Sequence, residues 1–462
     1  MLIKNGTVVA EGFTGIADLR IEGELIGEIA PRLEPLPGEE VIDAAGKLVL
    51  PGGVDVHTHM DLDLGQVVAT DDFYTGTVAA ACGGTTTIVD HMAFGPPGCS
   101  ILHQVRHYQD LARDKAVIDY SVHGVTNRVD QEILAELETL IEHGVTSHKV
   151  YTTYGGKLPD REIFAILERT AQLGVMICVH PENDGVVNYL REKFVREGKL
   201  SPEYHAKSRP PEAEGDAIHR IALMAHLAGD APLYIVHLTC ALGLDLIRGR
   251  RERGQKRLFA ETCPQYLTLD ETMYQRPDGL KYIMSPPLRT KDNQDALWQG
   301  LMTEEIQTVG TDHCPFFYAK EKQLGKDDFT LAPSGAPGVE ARMAITFSEG
   351  VSRGRLTLEQ FVDVTATNPA KLFGMYPKKG VLKPGSDGDV VIFDPDRETV
   401  ITWDDLHENV DYTPYEGLAI KGVPVLTIAR GKVVAKDGQF TGEAGAGRFI
   451  KRGLPLVDGW KM

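Results

Sequence analysis

The chain has 462 residues, 42% hydrophobic and 25% charged, a globular balance with ample material for a large core. Its 66 acidic residues against 48 basic ones leave a formal charge of -18, which repels phosphate backbones and anionic lipid and argues against nucleic acid as a partner. No stretch approaches the ~18 uninterrupted apolar residues of a membrane span, and no apolar leader precedes a small-residue cleavage site.

A soluble protein without a membrane partner is therefore expected. The six cysteines (Cys82, Cys99, Cys178, Cys240, Cys263, Cys314) are scattered without a C-x-x-C pair, which fits a reducing cytoplasm.

In chain order, residues 2–9, 17–29 and 47–50 read as short antiparallel strands. Eight short β-branched runs follow, at 54–59, 85–90, 117–123, 146–151, 175–180, 233–238, 258–262 and 307–312. Segments of helical period, such as 131–138 and 161–168, separate most of them. The longer gap before the sixth run contains Tyr204 to Pro211 and predicts an extra helix or loop over the barrel mouth. Strand patterns return at 390–393, 423–429 and 432–434, punctuated by the turns Ser386-Asp387-Gly388 and Lys436-Asp437-Gly438. This alternation predicts an α/β chain: a (β/α)8 barrel over 51–375 and a small β-sandwich built from both chain ends, 1–50 and 376–440. Residues 441–462 form a tail.

Barrel enzymes work at the C-terminal ends of their strands. The residues ending these runs are His57 and His59 on the first, Lys149 on the fourth, His180 on the fifth, His237 on the sixth and Asp312 on the eighth. Neutral imidazoles and a carboxylate suit zinc, with manganese or cobalt as alternatives. His57 and His59 are two apart on a strand, so both face one side and can grip one ion together. Lys149 is the odd member, because an ammonium would be repelled by two divalent cations. A carboxylated lysine removes that conflict: it is an anion with two oxygens that can bridge both ions, the first-strand histidines holding one and His180 and His237 the other.

Other polar residues read as structural. His148 and His313 are turned away by strand alternation. His91, His123 and His143 lack a ligand partner at a matching spacing, and Arg209 and Glu212 brace the extra segment. Leu62, Leu64, Phe94 and Tyr151 either touch a ring substituent from rim loops or simply pack.

The string Pro51-Gly52-Gly53-Val54-Asp55-Val56-His57-Thr58-His59 does not stand alone. With it come Gly83-Gly84-Thr85-Thr86-Thr87, His180-Pro181-Glu182-Asn183, Glu261-Thr262-Cys263-Pro264-Gln265-Tyr266 and Ser285-Pro286-Pro287-Leu288-Arg289. Over nearly its whole length the chain resembles the hydantoinase and dihydropyrimidinase family of the amidohydrolase superfamily. It is most similar to the phenylhydantoinase (D-hydantoinase) type, through His180 to Asp184 and Asp90 to Pro96.

The resemblance implies metal-dependent opening of a small cyclic amide. Either 5-substituted hydantoins give N-carbamoyl amino acids, or dihydropyrimidines give N-carbamoyl β-amino acids. It implies that Lys149 is an N6-carboxylysine bridging two metal ions, that Tyr154 steadies the oxyanion, and that Ser285 and Ser334 contact the ring through backbone groups. Asp312 would orient an acidified water, take its proton and pass it to the departing nitrogen. At Pro333-Ser334-Gly335 the chain departs from the Asn-Gly usual in the family, a change that a backbone contact survives. A homotetramer or homodimer is implied as well.

Two other readings compete. An allantoinase-like or dihydroorotase-like enzyme would share the metals, but dihydroorotase-like chains carry an arginine just beyond the H-x-H, where this chain has Met60, Asp61 and Leu62. An acidic substrate is disfavoured on that ground. A non-catalytic scaffold related to dihydropyrimidinase would lack ligands, whereas here every ligand position is filled.

Overall fold

The computed structural model describes residues 1–460. Five strands come first: β1 (Leu2–Ala10), β2 (Phe13–Glu22), β3 (Leu25–Ala30), β4 (Val41–Asp43) and β5 (Leu48–Pro51). The run expected over 17–29 is a hairpin broken between β2 and β3 at Gly23, whose φ of 61° is a left-handed conformation that glycine adopts without strain.

The eight runs of the middle chain are the eight strands of one parallel sheet: β6 (Gly53–Thr58), β7 (Thr85–His91), β8 (Asp119–Val125), β9 (Ser147–Tyr151), β10 (Met176–His180), β11 (Leu233–Ile235), β12 (Leu258–Thr262) and β13 (Thr308–Val309). Neighbours in sequence are neighbours in the sheet, with helices between most of them. The seam between β13 and β6 is the thinnest part, closed by His59 N donating to His313 O at 2.9 Å. The buried Arg342 stitches the same seam, its Nη1 donating to Val54 O at 3.3 Å, Val309 O at 3.0 Å and Thr365 O at 3.1 Å.

Four further strands follow: β14 (Val390–Val400), β15 (Ala419–Ala429), β16 (Lys432–Lys436) and β17 (Gln439–Phe440). They join the first five in a separate nine-stranded sheet, ordered β17-β16-β15-β14-β5-β1-β2-β3 with β4 beside β1. The two chain ends meet where β5 and β14 pair antiparallel, Val49 opposite Ile392. Val8, Leu19, Val49, Val390, Ile392 and Ile428 share its buried core, and burying each such side chain contributes about 1.5–3 kcal/mol.

Residues beyond this sheet run back across the entry of β8 and β9. Tyr120 N donates to Arg448 O at 3.0 Å and Ile450 N to Tyr120 O at 2.7 Å. Arg452 Nη2 donates to Val122 O at 2.7 Å, and Thr146 Oγ1 to Gly453 O at 2.7 Å. Ile450 packs with Phe373 and Met375 against Val54, Val89, Cys178 and Tyr234, closing the barrel at its N-terminal end. The opposite, C-terminal end stays open. No helix among the described residues is long and apolar enough to cross a membrane.

Candidate active site

A cavity of about 610 Å³ opens at the C-terminal ends of the barrel strands, lined by His57, His59, Lys149, Tyr154, His180, His237, Ser285, Asp312 and Ser334. All nine residues singled out from the sequence therefore face one space. Two of them sit where their strands break: β11 ends before His237, with φ 39°, and β13 before Asp312, with φ 55°. Tyr154, in the loop after β9, has φ 70°. Such left-handed residues cost free energy, and they cluster where a side chain must be aimed.

The imidazoles are oriented by carboxylates. His57 Nδ1 donates to Glu261 Oε1 at 2.5 Å, and His180 Nε2 to Glu182 Oε2 at 2.7 Å. A carboxylate only accepts, so both protons are fixed on those nitrogens. Burial lowers the His180 pKa, keeping the ring neutral, and its Nδ1 accepts from His237 Nε2 at 2.8 Å. His237 Nδ1 and His57 Nε2 are thereby left as buried lone pairs, and neither makes a hydrogen bond. His57, His237 and Asp312 each bring a ligand atom to one place, the three lying within 4.8 Å of one another. Asp312 Oδ1 stands 3.0 Å from His57 Nε2 and 3.1 Å from His59 Nε2.

Charge in this cluster is tuned for a cation. Burial opposes positive charge at His57, but the carboxylates of Glu261 and Asp312 outweigh it, a negative field that an ion at Nε2 would meet. Burial would raise Asp312 too, yet His57, His59 and His237 hold it well below the ordinary carboxylate range. Lys149 is buried without a hydrogen-bond or ion-pair partner among the described residues, its Nζ 5.5 Å from the Tyr151 ring centre. Burial lowers its pKa, which favours the neutral amine that can take up carbon dioxide. Unpartnered lone pairs, a depressed carboxylate and a buried lysine are a donor set that fits divalent metal.

Several contributors carried weaker sequence signals. Glu261 lies inside a quoted motif, but nothing in the chain order announces that it orients His57 and accepts from His237 N at 3.0 Å. Arg209 does more than brace its segment. It lines the cavity, its Nη1 donates to Glu182 at 2.5 Å, and its guanidinium lies 5.4 Å from the Tyr154 ring centre. His91 ends its strand as the candidate residues do, and its ring centre is 4.4 Å from that of His57. His123 is a satisfied core histidine, bonded to Ser147 Oγ and Val56 O, while His313 Nε2 turns away to Asp71 at 2.9 Å.

The walls divide by chemistry. Leu62, Leu64, Met92, Phe94 and Tyr151 form an apolar side. Phe94 rests on the bare backbone of Gly156, where a Cβ would come within 2.1 Å of its ring. Ser285 and Ser334 come from separate loops joined by a hydroxyl contact of 3.1 Å, and the buried Lys322 clips those loops together through Ile283 O at 2.6 Å and Pro333 O at 2.8 Å.

An eight-stranded barrel with histidines and an aspartate gathered at its open rim has the build of a barrel hydrolase. Residues 48–434 match the amidohydrolase family. A D-phenylhydantoinase of Escherichia coli is 50% identical over 453 residues, covering 98% of this chain and 98% of the relative. The solved dihydropyrimidinase from Brevibacillus agri superposes with a TM-score of 0.96 at 46% identity, over 98% of this chain and 99% of that one. The L-hydantoinase (dihydropyrimidinase) from Arthrobacter aurescens does so at 0.90 and 31%, over 98% and 99%. The chain belongs to the amidohydrolase family, whose members generally hold a binuclear metal centre, and it is a hydrolase acting on cyclic amides.

Proposed function

We propose that this cavity opens 5-substituted hydantoins or dihydropyrimidines to their N-carbamoyl acids, with Lys149 carried as N6-carboxylysine between two divalent ions. Zinc is the first expectation, with manganese or cobalt as alternatives. The carrying observation is the convergence of ligand atoms from His57, His237 and Asp312 within 4.8 Å of one another, with His180 Nδ1 2.8 Å from His237 Nε2 beside them. His57 and His59 would hold one ion, His180 and His237 the other, with Asp312 beside them and the Lys149 carbamate spanning both. Bound there, the ions would supply Lewis acidity and an acidified water.

The chain's own groups supply the rest. Asp312 takes a proton on a carboxylate oxygen and delivers it to the departing ring nitrogen. Desolvation at the cavity wall keeps the Tyr154 phenol above its ordinary range, so it stays a donor and can steady the oxyanion through its O–H. Backbone groups at Ser285 and Ser334 would hold the ring, and the side of Leu62, Leu64 and Phe94 would take the substituent.

Residues 51–375 would carry the chemistry, with 1–50 and 376–440 as an accessory domain and 441–462 as a tail. The six free cysteines suit a cytoplasmic chain, and a homotetramer or homodimer completes the proposal. The test is a panel of substituted hydantoins, dihydrouracil and allantoin assayed with defined metal. Opening of hydantoins or dihydrouracil supports the reading. Opening of allantoin alone favours an allantoinase-like enzyme. A chain that keeps no metal after supplementation with metal and bicarbonate overturns the proposal.

A further inference from the structure

Two guanidinium groups line the cavity, and they differ in kind. Arg209 is buried and neutralised by Glu182. Arg191, on the helix Asp184–Arg196, is half-buried and lines the same cavity. Among the described residues its guanidinium has a single protein partner, Nη2 donating to the neutral Thr330 O at 3.2 Å. Most of its donors remain free.

No carboxylate among the described residues forms an ion pair with Arg191, and the nearby acids hydrogen-bond to other groups. Glu182 serves Arg209 and His180. Asp184 pairs with Lys157 at 2.5 Å. Asp328 caps its own turn through Thr330 N at 2.9 Å, and Asp63 on the rim accepts from Gly65 N at 2.7 Å. His205 beside the arginines adds no charge at neutral pH, since burial pushes it down to about 3 and its Nε2 bonds Met284 O.

A half-buried guanidinium with no carboxylate in contact keeps most of its N–H groups to offer, and its geometry matches a carboxylate through paired N–H bonds. The lack of an arginine after His59 argued from sequence against acidic substrates. Arg191 supplies one from a different element, a helix after the fifth barrel strand. We propose that Arg191 makes this cavity selective for cyclic amides whose ring substituent, its stem against the apolar side, ends in a carboxylate that the guanidinium binds. The proposal rests on the cyclic-amide reading above and names the substrate class within it.

The hydantoins of glutamate and glutamine are a matched pair, identical in shape except for carboxylate against carboxamide. With metal-loaded wild type, kcat/KM for the acid should exceed that for the amide. In Arg191→Gln the acid-to-amide ratio should fall ~10-fold or more, mainly through KM, as for loss of a charge-assisted bond. Arg196→Gln, an exposed position on the same helix, should leave the ratio unchanged. Because the ratio is internal to each preparation, a general folding defect cancels. An equal ratio in wild type and Arg191→Gln, or a wild-type preference for the amide, overturns the proposal. If wild type opens no ring at all, the cyclic-amide reading fails separately. Calorimetric binding of N-carbamoylglutamate against N-carbamoylglutamine then still reads the arginine: equal affinity for the two in wild type rejects its role, and an acid preference lost in Arg191→Gln supports it.

Discussion

Glu261 Oε1 lies 2.5 Å from His57 Nδ1 and fixes Nε2 as the imidazole nitrogen that faces the cavity, 3.0 Å from Asp312 Oδ1. Both side chains are completely buried, so no water can substitute for the carboxylate. Glu261→Gln keeps the shape but offers His57 a weaker, neutral partner. Metal affinity is expected to fall about 10- to 100-fold, the usual cost of disturbing a group that orients a ligating histidine. Competition with a chelator measures it, and retention equal to wild type would remove Glu261 from this role.

Tyr154→Phe deletes one donor and little else. Turnover should drop by ~10²–10³ while bound metal stays at the wild-type level. Activity that survives nearly intact would show that the hydroxyl does not meet developing charge.

If Lys149 is carboxylated as proposed, reactivation depends on two components. Protein stripped by chelator in carbon-dioxide-free buffer should regain full activity with divalent metal plus bicarbonate, and much less with metal alone. Equal recovery in both conditions would mean that the lysine does not carry a carbamate.

Much of this site was legible in the sequence because its residues lie at or near the C-terminal ends of short strands. His57, His59, Lys149, His180, His237 and Asp312 could be picked out by that rule, and the barrel brings all six to one rim. The same rule points to His91, which was set aside for want of a partner at regular spacing, yet its ring abuts His57. Glu261 and His57 are 204 positions apart, and Arg209 and Glu182 are joined across a helical excursion. Such pairings depend on how strands are placed around a closed sheet, which local periodicity does not encode. The hairpin of β2 and β3 was read as one run because the apolar pattern continues on both sides of Gly23.

Arg209 and Glu182 form a buried pair, 4% and 0% exposed. Arg209→Met would leave the Glu182 carboxylate without its main counter-charge, and loss of one partner of such a pair typically costs about 3–5 kcal/mol. Denaturant unfolding of the metal-loaded protein should show a lowered midpoint. A midpoint within experimental error of wild type would mean that His180 and the neighbouring Arg289 compensate.

Lys322 gives stability a pH dependence. Burial pushes its ammonium from 10.5 down to about 7. Between those values the unfolded chain binds a proton that the folded chain does not, so this group's contribution to stability rises with pH across that window. The slope is at most about 1.4 kcal/mol per pH unit. Lys322→Met removes that slope and leaves Pro333 O unpaired, with Ile283 O keeping only Gly335 N, so KM should rise as the loops bearing Ser285 and Ser334 loosen. Parallel stability–pH curves for wild type and variant would contradict the assignment.

The segment that crosses the entry of β8 and β9 has a bearing on biosynthesis. Asp119 accepts from Arg448 N, a partner 329 positions later. At a translation rate of about 5–20 residues per second, the start of β8 waits on the order of tens of seconds before that partner exists. Until then the nascent barrel has an unsealed floor, with Cys178 and Tyr234 still lacking the cover of Ile450. That interval is when a co-translational chaperone would find apolar surface to hold.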